Sequence, residues 1–124
     1  MDNAVLKKLR YKQGRAIVIN APGGYALGIE TEQELQGKFE FVQLFALNAQ
    51  EVNEWAPKII PTLNEEALFW ISYPKQTSKM KTDINRDIVW KMIESTTEYR
   101  LVSNIAIDET WSALRFRHQD KFKK

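Results

Sequence analysis

Three apolar runs along the chain predict buried β-strands. They are residues 16–20 (AIVIN), 39–47 (FEFVQLFAL) and 67–73 (ALFWISY), which are rich in β-branched and aromatic side chains. The third run is apolar at nearly every position, as expected of a strand that is covered on both faces. Pro74 follows it and ends the strand, because proline has no backbone N–H to donate to a neighbouring strand.

Two segments that follow the second and third runs have the spacing of amphipathic helices. In residues 48–63 apolar side chains recur every three or four positions, and Asn48 precedes Glu51 by three residues, as in a capping box. Residues 83–99 predict the clearer helix, with Thr82 as its cap. A shorter helix is predicted at the N-terminus, within residues 1–14.

Residues 101–107 and 112–117 predict two further strands, which a short polar turn joins into an antiparallel hairpin. Strands separated by helices call for parallel neighbours with right-handed crossovers. The sequence therefore predicts one α/β domain over residues 1–124, a Rossmann-like three-layer sandwich. Its sheet is expected to be mainly parallel and to have about five strands, with residues 67–73 at the centre and the hairpin at the end. Residues 118–124 are expected to form a frayed tail.

The composition limits the chemistry that the chain can perform. There is no cysteine and only one histidine, His118, which excludes disulfides, thiolate metal sites and multi-histidine metal sites. We predict no cofactor and no metal site. No apolar segment reaches the roughly 18 residues of a membrane span, and the basic N-terminus lacks the apolar region of a signal peptide. A cytoplasmic protein without a membrane partner is expected.

The net charge of +2 conceals an uneven distribution. Residues 1–15 and 67–124 each carry +4, whereas residues 16–66 carry −6. A basic surplus in the last part of the chain favours an anionic partner, although a mixed, solvated surface explains the same distribution. The surplus is not concentrated into the stripe that nucleic-acid-binding proteins carry, so a nucleic-acid partner is not expected.

The loops that follow parallel strands meet at the carboxyl edge of a sheet, where ligands bind. The most promising of these loops is residues 74–82 (PKQTSKMKT), which leads from the third strand into the second helix. Cations and hydroxyl groups before a helix N-terminus suit a phosphate, a sulfate or a carboxylate. The alternative is a solvated loop that only caps the helix. The candidate ligand-binding residues are Lys75, Thr77, Ser78, Lys79, Thr82 and Asp83.

Two glycines after the first strand, Gly23 and Gly24, would let the backbone approach a ligand. They do not complete a dinucleotide-binding or phosphate-binding motif, and a plain turn is the simpler explanation.

The turn between the last two strands supplies further candidates: Asp108, Glu109, Thr110 and Trp111. The two carboxylates resemble a pair for acid–base catalysis or for Mg²⁺. Such residues more often fix a turn or pair with a nearby lysine or arginine, so no catalytic residue is assigned.

Four motifs resemble those of a bacterial family of small domains of unknown function. They are WISYPK at 70–75, TSK at 77–79, TD at 82–83 and IDETWSALRF at 107–116. This resemblance covers nearly the whole chain and implies no activity. A more distant likeness, of fold alone, is to class I methyltransferases, whose later half also ends in a hairpin with an antiparallel last strand.

The chain departs from that second family at its cofactor site. The glycine motif for the methionyl part of S-adenosylmethionine is missing, and so is an acidic residue for the ribose. With 124 residues the chain also lacks about half of such an enzyme.

Two functional hypotheses follow. The first is a non-catalytic cytoplasmic domain that binds a small anionic ligand or a partner protein where residues 73–83 and 108–112 meet. The second is a small enzyme or a degenerate methyltransferase-like transferase, with Asp108 or Glu109 as base and Lys75 as an electrostatic stabiliser. The sequence does not identify the ligand, the oligomeric state or the pathway.

Overall fold

The computed structural model of the protein describes residues 7–12, 14–21, 23, 25, 31, 32, 34–75 and 82–118, with only the backbone of Glu65 and Glu66. Several predictions concern residues outside these ranges. They are those for most of the N-terminal helix, for residues 119–124 of the tail, and for Gly24, Thr77, Ser78 and Lys79.

Five strands and two α-helices make up the described chain. The strands are β1 (Ala16–Ile19), β2 (Phe39–Phe45), β3 (Leu63–Pro74), β4 (Tyr99–Ala106) and β5 (Trp111–His118). The helices are α1 (Ala49–Ile59), which a 3₁₀ turn (Ile60–Thr62) connects to β3, and α2 (Arg86–Thr96). The elements predicted between residues 16 and 117 are therefore confirmed in type and order. The predicted frayed tail is wrong at His118, which belongs to β5.

The sheet has the strand order β1-β2-β3-β5-β4. β3 is central, as predicted, and the final hairpin is antiparallel. The prediction of a mainly parallel sheet is wrong. The β1–β2 and β2–β3 pairings are parallel, but β5 lies between β3 and β4 and runs antiparallel to both. The reason is that the second strand of the hairpin, and not the first, joins the parallel half.

The two helices lie on the same face of the sheet. Phe69, Ile71 and Tyr73 point toward this face from β3, and they pack in one cluster with Val52 of α1 and Val89 of α2. Both faces of β3 are buried, which explains why its sequence is apolar at nearly every position.

The N-terminal segment covers the other face. Leu9 and Tyr11 pack there with Phe41 and Trp70, and the Trp70 indole N–H donates to the Leu9 carbonyl at 2.9 Å. In the described chain, this face carries no complete helix; Lys7 and Lys8 alone have helical geometry there. The domain thus has three layers. The two helices form one layer, the sheet forms the middle layer, and the N-terminal segment around Leu9 and Tyr11 forms the third.

The start of α1 is capped as the sequence predicts. The Asn48 side chain accepts from the Glu51 N–H at 2.9 Å, and the Glu51 carboxylate accepts from the Leu47 N–H at 2.6 Å. The helix continues through Pro57 and ends two residues later. These caps satisfy backbone donors that would otherwise lack a partner.

α2 begins three residues later than predicted, because Asn85 and not Thr82 is its N-cap. The Asn85 side chain accepts from the Ile88 N–H at 3.0 Å. Asparagine is at least as good a cap as threonine. The Thr82 hydroxyl instead donates a hydrogen bond to the Leu47 carbonyl.

Arg15 fixes the connection between β1 and β2 at the opposite, amino edge. Its guanidinium donates two hydrogen bonds to Glu32, at 2.5 and 2.6 Å, and its backbone N–H donates to Glu40 at 2.9 Å. These side-chain hydrogen bonds, together with the opposite charges, raise the pKa of Arg15 and lower the pKa of Glu32. Residues remote from the carboxyl edge therefore hold the connection in place.

None of the described helices is long and apolar enough to cross a membrane.

Candidate functional site

The loop after β3 and the β4–β5 turn meet at the carboxyl edge. The Lys75 N–H donates to the Thr110 carbonyl at 2.7 Å, which continues the β3–β5 ladder one residue beyond the pairing of Pro74 with Trp111. Residues 73–83 and 108–112 therefore meet at Lys75, as the hypothesis of an anion-binding or partner-binding site requires.

A polar pocket of about 390 Å³ lies beside this junction, on the helix face of the sheet. The register of the strands explains which side chains line the pocket. Tyr73 of β3 pairs with Ser112 of β5. Ser112 also pairs with Ala106 of β4, and Asn104 lies two residues before Ala106 on that strand. Side chains two residues apart on a strand share a face, so all three strands contribute. The first turn of α2 closes the pocket. Its lining residues are Tyr73, Lys75, Asn85, Arg86, Asp87, Asn104 and Ser112.

The charges in this polar pocket leave a positive excess. Lys75 and Arg86 line it together with a single carboxylate, Asp87. Arg86 Nε lies 3.4 Å from Asp87 Oδ1, and both side chains are more than half exposed, so the pair holds the arginine weakly. An incoming anion can therefore compete with Asp87 for Arg86.

Tyr73 supplies a buried hydroxyl to the polar pocket. Its side chain is 6% exposed and is hydrogen-bonded to the side chain of Ser112. Burial raises the pKa of Tyr73, so the phenol stays protonated at neutral pH and acts as a hydrogen-bond donor and not as a base.

The predicted residues Thr82 and Asp83 lie at the start of α1 and do not line this pocket. Asp83 Oδ1 accepts from the Ala49 N–H at 2.8 Å, and the Thr82 hydroxyl accepts from the Ile84 N–H at 3.2 Å. Both residues therefore connect the entrance of α2 to the end of β2, which is a structural role.

Asp108 fixes the β4–β5 turn. Its Oδ1 accepts from the N–H groups of Thr110 and Trp111, both at 2.8 Å. Trp111 is 7% exposed and packs edge to face against Phe45, with ring centroids 4.9 Å apart. Glu109 is exposed, and neither carboxylate lines the polar pocket. Across residues 7–118 as described, no three carboxylate or imidazole side chains cluster as metal ligands.

Gly23 is exposed at the end of the β1 loop, and a Cβ added to it would meet no atom within 4 Å. It does not line the polar pocket. Asn20, which directly follows β1, has φ of 60°, a conformation that asparagine tolerates better than most residues.

Of the seven lining residues, the sequence predicts Lys75 as a ligand-binding residue, and the predicted ranges 73–83 and 108–112 also contain Tyr73 and Ser112. The other four, Asn85, Arg86, Asp87 and Asn104, lie outside those ranges. Arg86 and Asp87 had a readable signal, since they stand in the first turn of a predicted helix after a strand. Asn104 had none, because its proximity to Tyr73 depends on the strand order and the register.

A second polar group crosses the opposite face of the sheet. The Tyr25 hydroxyl donates to Gln43 Oε1 at 2.7 Å, and Gln43 Nε2 donates to Ser72 Oγ at 3.0 Å. Gln43 and Ser72 are fully buried, and burial raises the pKa of Tyr25 to about 12. These hydrogen bonds satisfy polar groups within the core and connect β2 to β3.

The domain has a Rossmann-like α/β fold. Its β1–β2–β3 half is parallel, β5 is inserted antiparallel beside β3, and a pocket lies beside the carboxyl edge.

No protein-family model and no curated protein sequence matches the chain. Solved structures do. The chain is 16% identical to LepI in complex with SAM, with a TM-score of 0.54, over 91% of this chain and 38% of that one. For LepI in complex with SAH and a substrate analogue, the identity is 16% and the TM-score is 0.54. That match covers 93% of this chain and 39% of the other.

A ribosomal protein L11 methylase from Lactobacillus delbrueckii subsp. bulgaricus is also similar, at 14% identity over 73% of this chain and 44% of that one, with a TM-score of 0.47. The chain thus spans less than half the length of the proteins it matches. The LepI structures support the predicted likeness to methyltransferases at the level of fold. The resemblance to a family of small bacterial domains finds no support in the comparisons.

Proposed function

We propose that the protein is a degenerate methyltransferase-like domain that binds a small anionic ligand in the polar pocket between β3, β5 and α2. The observation that carries this proposal is the presence of Lys75 and Arg86 beside a single carboxylate in a pocket of about 390 Å³. The volume lies within the range of small-molecule sites. The likeness to a fold that holds SAM in LepI favours this reading over a plain non-catalytic scaffold.

The ligand class follows from the donors. A phosphate or a carboxylate would accept charge-assisted hydrogen bonds from Lys75 and Arg86, and these are the stronger kind. Ser112 and the protonated Tyr73 add neutral donors from the strands. Asp87 disfavours a second negative group at the helix end of the pocket, which selects a compact anion over a polyanion such as nucleic acid.

The test is a titration with inorganic phosphate and with phosphoserine, followed by ¹H–¹⁵N NMR. Shifts are expected at Ser112, Asn104 and Asn85. In the double variant Lys75→Ala/Arg86→Ala the affinity should fall at least about tenfold, because a hydrogen bond to a charged group contributes about 1.5–3 kcal/mol. Lys91→Ala is the matched control, since Lys91 is an exposed lysine of α2 outside the polar pocket. Equal affinity in the double variant and this control contradicts the proposal.

A transferase that uses S-adenosylmethionine is the second candidate, and the LepI fold is the observation that favours it. The described residues fit that cofactor poorly. Gly23, the described glycine of the β1 loop, is exposed and does not line the polar pocket. Glu32, the acid hydrogen-bonded beside β1, is paired with Arg15. No catalytic step is therefore assigned through this cofactor.

Calorimetric titration with S-adenosylmethionine and its demethylated product distinguishes the two candidates. We expect no heat of binding from either compound for the wild-type chain, because the residues that would hold the methionyl and ribose groups are missing. Saturable heat with a Kd below about 100 μM, equivalent to about −5.5 kcal/mol, would establish the transferase reading instead.

A further inference from the structure

The polar pocket holds two opposite charges side by side at the start of α2. Arg86 Nε lies 3.4 Å from Asp87 Oδ1, and these side chains are 57% and 61% exposed. An exposed ion pair of this kind contributes little to stability, so both groups can turn from each other toward a ligand at small cost. The pocket therefore presents an anion-binding group and a cation-binding group at neighbouring positions.

Tyr73 indicates that both charges face the pocket. Burial raises the pKa of Tyr73, the hydrogen bond to Ser112 lowers it, and the charges of Arg86 and Asp87 then act on it in opposite directions. The guanidinium and the carboxylate thus both lie near the buried Tyr73 hydroxyl. A ligand that contacts this hydroxyl meets the two charges together.

A ligand that carries only a negative charge suits one of these two groups. Among the residues that the structure describes, Arg86 is the only side chain hydrogen-bonded to Asp87. A simple anion takes this partner away and places a like charge beside the Asp87 carboxylate, which is unfavourable. An ammonium group on the same ligand removes both costs, because it donates charge-assisted hydrogen bonds to the carboxylate.

We propose that the ligand of the polar pocket is a compact zwitterion, in which an ammonium group stands close to a carboxylate or a phosphate group. The anionic group pairs with Arg86, with Lys75 beside it, and the ammonium group pairs with Asp87 and with the carboxamide oxygen of Asn104. This inference rests on the proposed function. It narrows the ligand class from compact anions in general to amino acids and short aminoalkyl phosphates.

The lining limits the remainder of the ligand as well. None of the described lining residues is aliphatic, and Asn85, Asn104 and Ser112 contribute neutral polar side chains. The volume of about 390 Å³ is near the lower end of the range for small-molecule sites. A short, polar remainder is therefore favoured over a long or apolar one.

Two pairs of probes test the ammonium group, and the members of each pair differ by that group alone. L-serine is compared with 3-hydroxypropanoate, and phosphoethanolamine with ethyl phosphate, at neutral pH and constant ionic strength by ¹H–¹⁵N NMR. The wild-type chain is expected to bind the ammonium-bearing member of at least one pair about 3- to 10-fold more tightly, with shifts at Asp87, Asn104 and Ser112. The pair with the larger preference identifies the anionic group as carboxylate or phosphate.

Asp87→Asn keeps the shape of the side chain and removes its charge. The variant should lose the preference within each pair, and it should bind 3-hydroxypropanoate and ethyl phosphate at least as tightly as the wild-type chain does. Glu54→Gln is the matched control, since Glu54 is an exposed acid of α1 that pairs with Lys58 at 3.8 Å and lies outside the polar pocket. This control should keep the preference.

The outcomes separate the zwitterion from the anion site on which it depends. Equal binding of both members of both pairs by the wild-type chain, or a preference that survives Asp87→Asn or is lost in Glu54→Gln, overturns the zwitterion. If the members bind equally and Lys75→Ala/Arg86→Ala weakens all of them, the proposed function stands without it. If no probe binds, and inorganic phosphate does not bind either, the proposed function fails as well.

Discussion

Replacing Trp70 with alanine is expected to destabilise the protein by about 3–5 kcal/mol, the range for large-to-small changes at buried aromatic residues. Trp70 is fully buried on the central strand, and its indole N–H donates to the Leu9 carbonyl at 2.9 Å. The variant loses this hydrogen bond, the contacts that hold the N-terminal segment and a large volume of the core. Because a domain of this size is stabilised by about 5–15 kcal/mol, much of the chain should be unfolded at moderate urea concentrations.

Trp90→Ala is the matched control, because Trp90 is 39% exposed on α2. Its loss should cost less than about 1 kcal/mol, as is usual for surface substitutions. Both variants are compared with the wild-type chain by urea denaturation followed by circular dichroism. Similar midpoints for the two variants would show that the packing of β3 against the N-terminal segment has been misjudged.

Gly14→Ala is expected to destabilise the protein by about 1–3 kcal/mol, the usual cost of overpacking. Gly14 has φ of 105°, which L-residues rarely adopt, and an added Cβ would lie 2.6 Å from Glu40 Cγ. Glu40 cannot easily move away, since it accepts hydrogen bonds from the Arg15 N–H and the Asn64 side chain. Thermal denaturation by calorimetry measures the effect.

Gly23→Ala provides the comparison for Gly14. No atom lies within 4 Å of the Cβ position at Gly23, and its φ is outside the positive range that strains other residues. The substitution should leave the melting temperature unchanged or raise it, since replacing an unstrained glycine restricts the unfolded chain and stabilises by up to about 1 kcal/mol. A loss of stability equal to that of Gly14→Ala would contradict the conformational argument.

The sequence predicted the elements better than their arrangement. The apolar runs around Val42 and Trp70 and the cap at Asn48 depend on local patterns, and each element that they predicted is present. The insertion of β5 beside β3 depends on which strands pair, through contacts such as Ser72 with Ala113 that lie far apart in the chain. Patterns of hydrophobicity do not contain that information.

The same limit explains the candidate site. Lys75 was found because it directly follows a buried strand. Asp83 has the composition of a ligand-binding residue, but its carboxylate accepts from the Ala49 N–H, a contact that spans 34 positions. Asp108 was expected to be more structural than catalytic, and its two bonds to the backbone of its own turn agree with that preference.

The insertion of β5 between β3 and β4 has a consequence for the order in which the protein is made. While the ribosome synthesises the chain, β4 emerges before the strand that joins it to the sheet, so it has no partner in the final sheet until residues 111–118 follow. Pairings between distant residues form late and slowly. Ser112 belongs to this last strand, and the polar pocket is therefore expected to be completed only at the end of folding.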